Sequence, residues 1–165
     1  MYCRLYADPL VMRHIAPPLS QAAAQRAFDA ALDRSLHRSP ALRLWVLSER
    51  DTGRDVGIIA LIRHRDRDDA LELGAMLLAA AHGRGLAAEA QVALLDQHFN
   101  VPHCAVVWSR NAVGNHAAIA VRRKLGFVPD TAGECGPGDM RWQMTRERWL
   151  ALRASSGVAR AAEVG

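Results

Sequence analysis

A mixed α/β (α+β) fold, with a mostly antiparallel central sheet flanked by helices, is what the sequence predicts. Two observations carry that prediction. Short apolar or alternating runs bounded by turn residues occur at 42–47, 56–62 and 71–78, as strands require. From residue 85 the period changes: Ala88, Val92, Leu95 and Phe99 are spaced four, three and four, so they line one side of a helix. The resulting order is helices, then antiparallel strands, then a β-α-β-α-β tail.

Each element has its own signal. Asp8 before Pro9 reads as an N-cap with proline at the first helical position, opening a short helix through residue 14. Ser20 caps a second helix to residue 36, with Ala24, Phe28, Ala31 and Leu32 on its apolar side. The strand at 42–47 turns through Asp51-Thr52-Gly53 into the strand at 56–62, forming a hairpin. A charged turn at 63–69 leads to the third strand, 71–78. Gly83 and Gly85 punctuate the chain before the helix at 85–98, and a short strand follows at 105–109. Asn115 opens a helix that buries Ala118, Val121 and Leu125. Arg122, Arg123 and Lys124 fall in its last turn, where positive charge suits the helix dipole, and Gly126 is a left-handed terminator. Segments 127–129 and 141–145 are the final strands.

At 165 residues the chain makes one domain, residues 1–153, with an Ala-, Ser- and Gly-rich tail at 154–165 expected to fray. Half the residues are hydrophobic and 23% are charged, which excludes disorder. No apolar run approaches the roughly 18 residues of a membrane span, and MYCRLYADP has no apolar signal core. Cys3, Cys104 and Cys135 are odd in number and lack paired metal spacing, so a reducing, cytoplasmic location is expected. His14, His37, His64, His98, His103 and His116 show no metal spacing either, and most are expected at the surface. The formal charge of +4 is carried almost entirely by arginine, Lys124 being the only lysine. Such a balance suits an anionic ligand as well as nucleic acid. The arginines are scattered, with no basic run beyond residues 122–124, so a nucleic-acid role ranks third among the readings.

Chemistry concentrates in Glu72-Leu73-Gly74-Ala75-Met76-Leu77-Leu78 and in His82-Gly83-Arg84-Gly85-Leu86-Ala87-Ala88-Glu89-Ala90. A strand enters a glycine-containing loop, and a helix leaves it. The first turn of a helix has unpaired N–H groups and a partial positive charge. Small residues at Gly83, Gly85 and Ala87 allow close approach and strained angles, so the corner is a nest for a pyrophosphate, with Arg84 as an added charged contact. An ordinary strand–turn–helix with glycine punctuation fits the same spacing.

This segment resembles the acyl-CoA signature of the GNAT superfamily, Gln/Arg-x-x-Gly-x-Gly/Ala, here His82-x-x-Gly85-x-Ala87. The strand before it is similar to that family's Glu-Ile-Gly-(aromatic)-x-Leu pattern. Downstream, Arg110-Asn111-Ala112-Val113-Gly114-Asn115-His116-Ala117-Ala118 and Arg123-Lys124-Leu125-Gly126-Phe127 resemble the second signature, in the branch of ribosomal-protein N-terminal alanine acetyltransferases. Trp142, Thr145-Arg146-Glu147-Arg148-Trp149 and Leu5-Tyr6-Ala7-Asp8-Pro9-Leu10-Val11-Met12-Arg13 also look like that branch. Three departures stand out. His82 replaces Gln or Arg, Ala118 stands where the branch often has serine, and the family's first strand has no counterpart before Leu5. The strand at 42–47 is then an open edge, which invites pairing and motivates a homodimer.

What the resemblance implies is direct acyl transfer from acetyl-CoA, or another acyl-CoA, to a primary amine of a small molecule or a protein N-terminus. The pantetheine arm would lie along Met76, Leu77 and Leu78, and the phosphates against His82, Gly83, Arg84, Gly85, Leu86 and Ala87. Glu72 begins the cofactor strand on the side of Gly74 and Met76, making it the preferred base; Asn115 sits near the cofactor. Ser109 and Asn111 are candidate contacts to substrate. The departing thiolate needs a proton or a donor. No metal is implied. The competing reading is a non-catalytic acyl-CoA-binding module that kept the nest and lost the chemistry.

Overall fold

Capping side chains decide where the N-terminal helices begin. Asp8 accepts hydrogen bonds from the Leu10 N–H at 2.8 Å and the Val11 N–H at 3.4 Å, opening α2 (Pro9–Met12) with Pro9 in its first turn. Ser20 accepts from the Ala23 N–H at 3.3 Å and opens α3 (Gln21–Ser35). The computed structural model describes residues 1–37, 41–63, 70–100, 104–133 and 135–162; His64, His103 and most of the charged turn at 63–69 lie outside the described residues.

Preceding α2 is α1 (Tyr2–Tyr6), an element that no cap announces. Tertiary contact holds it: Leu5 is fully buried, and the Tyr2 and Tyr6 rings stack at 4.3 Å. The helix α2 stops at Met12 instead of reaching residue 14, because the Ile15 and Ala16 N–H groups both turn back to the Met12 carbonyl. On α3 the apolar side is narrower than expected. Ala24 and Ala31 are buried and Phe28 is half-buried against Tyr2, but Leu32 is exposed.

Six strands form one sheet in the order β1-β2-β3-β4-β6-β5: β1 (Leu42–Ser48), β2 (Asp55–Arg63), β3 (Ala70–Leu77), β4 (Val106–Ala112), β5 (Val128–Pro129) and β6 (Asp139–Thr145). All pairs are antiparallel except β3 and β4, which α4 (Leu86–Phe99) connects. The β1–β2 hairpin closes at Gly53, whose φ of 65° and N–H bond to the Glu49 carbonyl make the expected turn. Strand β4 runs three residues past 109 because β6 pairs with it as far as Ala112↔Asp139. At one edge lies β1, as expected, with Trp45 and Val46 among its exposed residues. Among the described residues no strand precedes it in the chain.

Alternation along β2 divides the core. Ile59 and Leu61 face Leu95, Phe99, Trp142, Met144 and Trp149 on one side, while Ile58 faces Leu5, Val11 and Leu78 on the other. In α5 (His116–Lys124), Ile119 and Arg122 are the buried residues, Ala118 and Val121 are half-buried, and Leu125 is buried just beyond. Arg122 therefore departs from the surface position that its basic neighbours imply. The chain ends in α6 (Arg146–Ala162), helical where a frayed tail was expected from Ala154. Trp149 and Arg153 both donate to the Asp96 carboxylate of α4, at 3.0 and 2.8 Å, and Ser155 donates to the Ala151 carbonyl. Those ties hold the helix as far as Ser155.

Two features position the site. The β3–β4 ladder has three pairs, Ala70↔Val106, Leu71↔Val107 and Glu72↔Trp108, after which the strands part. From Leu73 to Leu77, β3 keeps only β2 as a strand neighbour. Opposite that stretch Gly57 pairs with Leu77, and a Cβ placed on Gly57 would strike the Met76 carbonyl oxygen and lie 3.0 Å from the Leu77 Cα. Gly57→Ala is expected to cost about 1–3 kcal/mol of stability, since neither obstacle is a movable side chain end. A thermal melt should show Tm several degrees lower, and an unchanged Tm would contradict this close approach.

Candidate functional site

At the end of β3 the backbone turns a corner that leaves amide groups facing outward. The Leu78 N–H donates to the Val56 carbonyl, and a single 3-10 turn follows at Ala79–Ala81. Gly83 and Gly85 then adopt φ of 73° and 78°, left-handed values that residues with a Cβ rarely take, and an added Cβ at either would meet open space. The Ala88 and Glu89 N–H groups are the first to bond back, both to the Gly85 carbonyl. The N–H groups of Leu86 and Ala87 therefore lie ahead of the helical ladder, at the positive end of α4. This is an exposed anion nest.

Two side chains of the corner are already committed. His82 places Nε2 2.9 Å from the Leu77 carbonyl oxygen, bracing the loop against the strand it leaves. Arg84 turns away to pair with Glu49 in the β1–β2 hairpin and does not line the cavity below the nest. Glu49 also accepts from the Thr52 hydroxyl at 2.8 Å. That bond first, and Arg84 second, hold its carboxyl below the ordinary range. Arg84 is thus a strut between hairpin and corner.

Two cavities meet beneath this corner. One of about 440 Å³ is lined by Leu77, His82, Gly83, Gly85, Leu86 and Ala87, with α5 opposite. The other, about 720 Å³, lies between the sheet and α1 and α3, and Tyr2, Tyr6, Arg34, Glu72, Ser109 and Asn111 face it. They share His14, Ile15, Ala75, Met76, Asn115, Ala118 and Arg122. The junction sits in the wedge between β3 and β4.

The candidate residues divide between these spaces. Glu72 lies at the crotch of the wedge, largely buried, with Arg110 Nε 3.3 Å from its Oε1; Gly74 and Met76 share its cavity, as alternation requires. Ser109 is 1% exposed and its hydroxyl has no hydrogen-bond partner. Asn111 donates through Nδ2 to the Ala112 carbonyl at 2.9 Å, leaving Oδ1 buried and unpartnered. Asn115 caps α5 by accepting from the Ala118 N–H at 3.1 Å, and it also faces both cavities. Leu78 is brought elsewhere: it packs in the small core cluster with Leu5, Val11 and Ile58 and lines neither cavity.

Arg122, Gln91 and His14 are site residues that sequence reasoning missed. Gln91 is 2% exposed on the buried side of α4, three residues after Ala88, and that polar residue on an apolar helix face was its available signal. Arg122 stands seven residues after Asn115 and four after Ala118, on one face of α5, but the basic run around it hid this. His14 reaches the site from the turn after α2 and has no local signal. Among the described residues no group of three or more metal-ligating side chains comes together, and no helix is long and apolar enough to cross a membrane.

Comparison with known proteins places this geometry. A family model described as the acetyltransferase (GNAT) domain matches residues 1–128. No curated protein matches by sequence. Among solved structures, the fold is similar to spermidine N-acetyltransferase from Vibrio cholerae in complex with CoA and spermine. That match has 17% identity, a TM-score of 0.71, and covers 90% of this chain and 89% of the other. It is also similar to an acetyltransferase from Agrobacterium tumefaciens, at 24% identity and a TM-score of 0.72, covering 87% and 82%. An aminoglycoside acetyltransferase in complex with coenzyme A gives 15% identity and a TM-score of 0.74, covering 92% and 91%. With its wedge, its glycine corner and the family match over most of its length, the chain belongs to the GNAT acetyltransferase family and is an acyl-CoA-dependent acetyltransferase.

Proposed function

We propose that the protein transfers an acetyl group from acetyl-CoA to the primary amine of a small molecule or a peptide N-terminus, by direct attack within the wedge. The meeting of the two cavities at Met76 and Asn115 carries this reading, since one space opens under the anion nest and the other toward the unpartnered polar groups of Ser109 and Asn111. The residues fit the co-substrate. Leu86 and Ala87 present free amides to a diphosphate, and the unpaired edge of β3 beyond Glu72 offers backbone groups to the amides of a pantetheine arm. Bound acetyl-CoA supplies the activated acyl group. The chain's part is to hold it, to polarise the carbonyl with a β3 N–H near Met76, and to remove a proton from the amine.

Glu72 is the base in this proposal, because an alkylamine is mostly protonated at neutral pH and reacts only in its neutral form. The acceptor cavity sets Arg34, Arg110 and Arg122 against Glu72 and Asp139. It does not concentrate the carboxylates that a polycation would need, so an amine without further positive charge, or a peptide N-terminus, fits it better than a polyamine. The spermidine enzyme of similar fold is then a guide to chemistry rather than to acceptor. Cys3, Cys104 and Cys135 are all free, in keeping with a cytoplasmic location.

The direct test is a mass shift on candidate amines incubated with acetyl-CoA and protein, beside calorimetric titration of CoA. Wild type should bind and turn over, whereas Gly85→Glu, which puts a side chain and a like charge in the nest, should lose most of its CoA affinity. Binding without turnover across the panel would favour an acyl-CoA sensor, and undiminished affinity in Gly85→Glu would remove the nest from the site. Glu72→Gln is expected to lower kcat/KM by about 10²–10⁴-fold while keeping the fold, with the acid limb of the pH–rate profile lost. An unchanged profile rejects the base assignment. Because β1 is an open edge with Trp45 and Val46 exposed, we also propose a homodimer through that strand. Light scattering should give twice the chain mass, and a monomer mass at all concentrations refutes it.

A further inference from the structure

Along α5 the positions that face both cavities are Asn115, Ala118 and then Arg122, the last a full positive charge in the protein interior. Its residue is 5% exposed. One Nη donates to the Gln91 side-chain oxygen, and the guanidinium carbon lies 5.2 Å from the Phe127 ring centroid. Nε is buried and has no hydrogen-bond partner. Among the described residues no carboxylate pairs with it, and of the two acids in the adjoining cavity Glu72 pairs with Arg110. Burial draws its pKa down to about 10, which leaves it charged at neutral pH.

A buried cation held only by neutral groups is costly, because neither an amide oxygen nor a ring face replaces the lost hydration. The fold nevertheless aims it at the waist where the two cavities join. Gln91, from which the guanidinium hangs, lines the cofactor-side cavity and not the acceptor-side one. Arg122 itself lines both cavities, and its anchor ties it to the side from which the acyl donor enters. Ala118, one turn nearer to Asn115, brings no hydroxyl to that face, which leaves Arg122 as the buried charge nearest to it on α5.

Resting on the acyl-CoA reading above, we propose that Arg122 is the catalytic cation that receives the departing thiolate of coenzyme A. In the step it serves, the amine nitrogen forms the new bond to the acyl carbon and the carbonyl electron pair moves to oxygen. That pair then returns, the C–S bond breaks, and its electrons stay on sulfur as a thiolate paired with the guanidinium. The amine proton leaves to the base and from there to solvent. Solvent returns one proton to the thiolate as the product departs, so that base and water are both restored. Arg122 thereby lowers the barrier without being a proton donor.

The test reads the thiol of bound coenzyme A, followed through the ultraviolet absorbance of its thiolate. An alkyl thiol titrates near pH ~8.5, and a desolvated cation beside it should lower that by about one unit or more. Wild-type affinity for coenzyme A should then rise about tenfold in all as pH climbs from well below the bound thiol value to well above the free one. Desulfo-coenzyme A, which has no sulfur to ionise, should show no such rise. Arg122→Gln and Arg122→Met should abolish the shift while binding desulfo-coenzyme A as wild type does, and Arg122→Lys should restore part of it. A wild-type thiol titrating at its free value, or an equal shift in Arg122→Gln, overturns the proposal while leaving the cofactor assignment standing. Failure of the wild type to take up coenzyme A at all overturns both.

Discussion

The proposed site depends on the parting of β3 and β4. Three residue pairs hold the two halves of the sheet together, after which each strand keeps a neighbour on one side only. A strand edge left this way inside a folded protein holds amide and carbonyl groups without partners, a state that folded chains rarely tolerate. The wedge is therefore a demand for a ligand that brings amides of its own. It also sets the depth of the site, since Glu72 lies at its apex and Met76 and Asn115 nearer its mouth.

The corner that closes the wedge is stiffened from two directions. His82 bonds back to Leu77, and Arg84 reaches across to Glu49 in the hairpin formed by the first two strands. Neither contact touches the open amides of Leu86 and Ala87, so the nest is held in shape without being filled. Ordering those groups before binding removes an entropic cost that a floppy glycine loop would impose. The close backbone approach at Gly57 serves the same end, since it lets β2 press directly against Met76 and Leu77.

Three buried polar groups without a partner among the described residues border the acceptor-side cavity. They are the Ser109 hydroxyl, Oδ1 of Asn111 and Nε of Arg122. Away from the cavities His98 and Trp142 also keep a buried nitrogen without a partner among the described residues, while Leu95, Phe99 and Met144 seal one face of the sheet. The three that face the cavity are the ones whose hydrogen bonds a bound molecule could complete.

By itself the sequence determined the parts whose causes are local. Asp8, Ser20 and Asn115 cap the helices they precede, Gly53 and Gly126 take the left-handed angles their turns need, and alternation places Glu72 with Gly74 and Met76. The glycine corner was legible because the spacing of Gly83, Gly85 and Ala87 and the end of one strand lie within a few residues of each other. Tertiary structure alone decided the rest. Leu5 fixes α1 through burial, Asp96 extends α6 by gripping Trp149 and Arg153, and Arg84 answers to a hairpin rather than to the nest. Arg122 is the clearest case: three basic residues in a row look alike along the chain, and only Gln91, on another helix 31 residues away, selects the one that turns inward. Caps and periods act over one helical turn, whereas the environment of a buried charge is assembled from elements that meet only after the chain has folded.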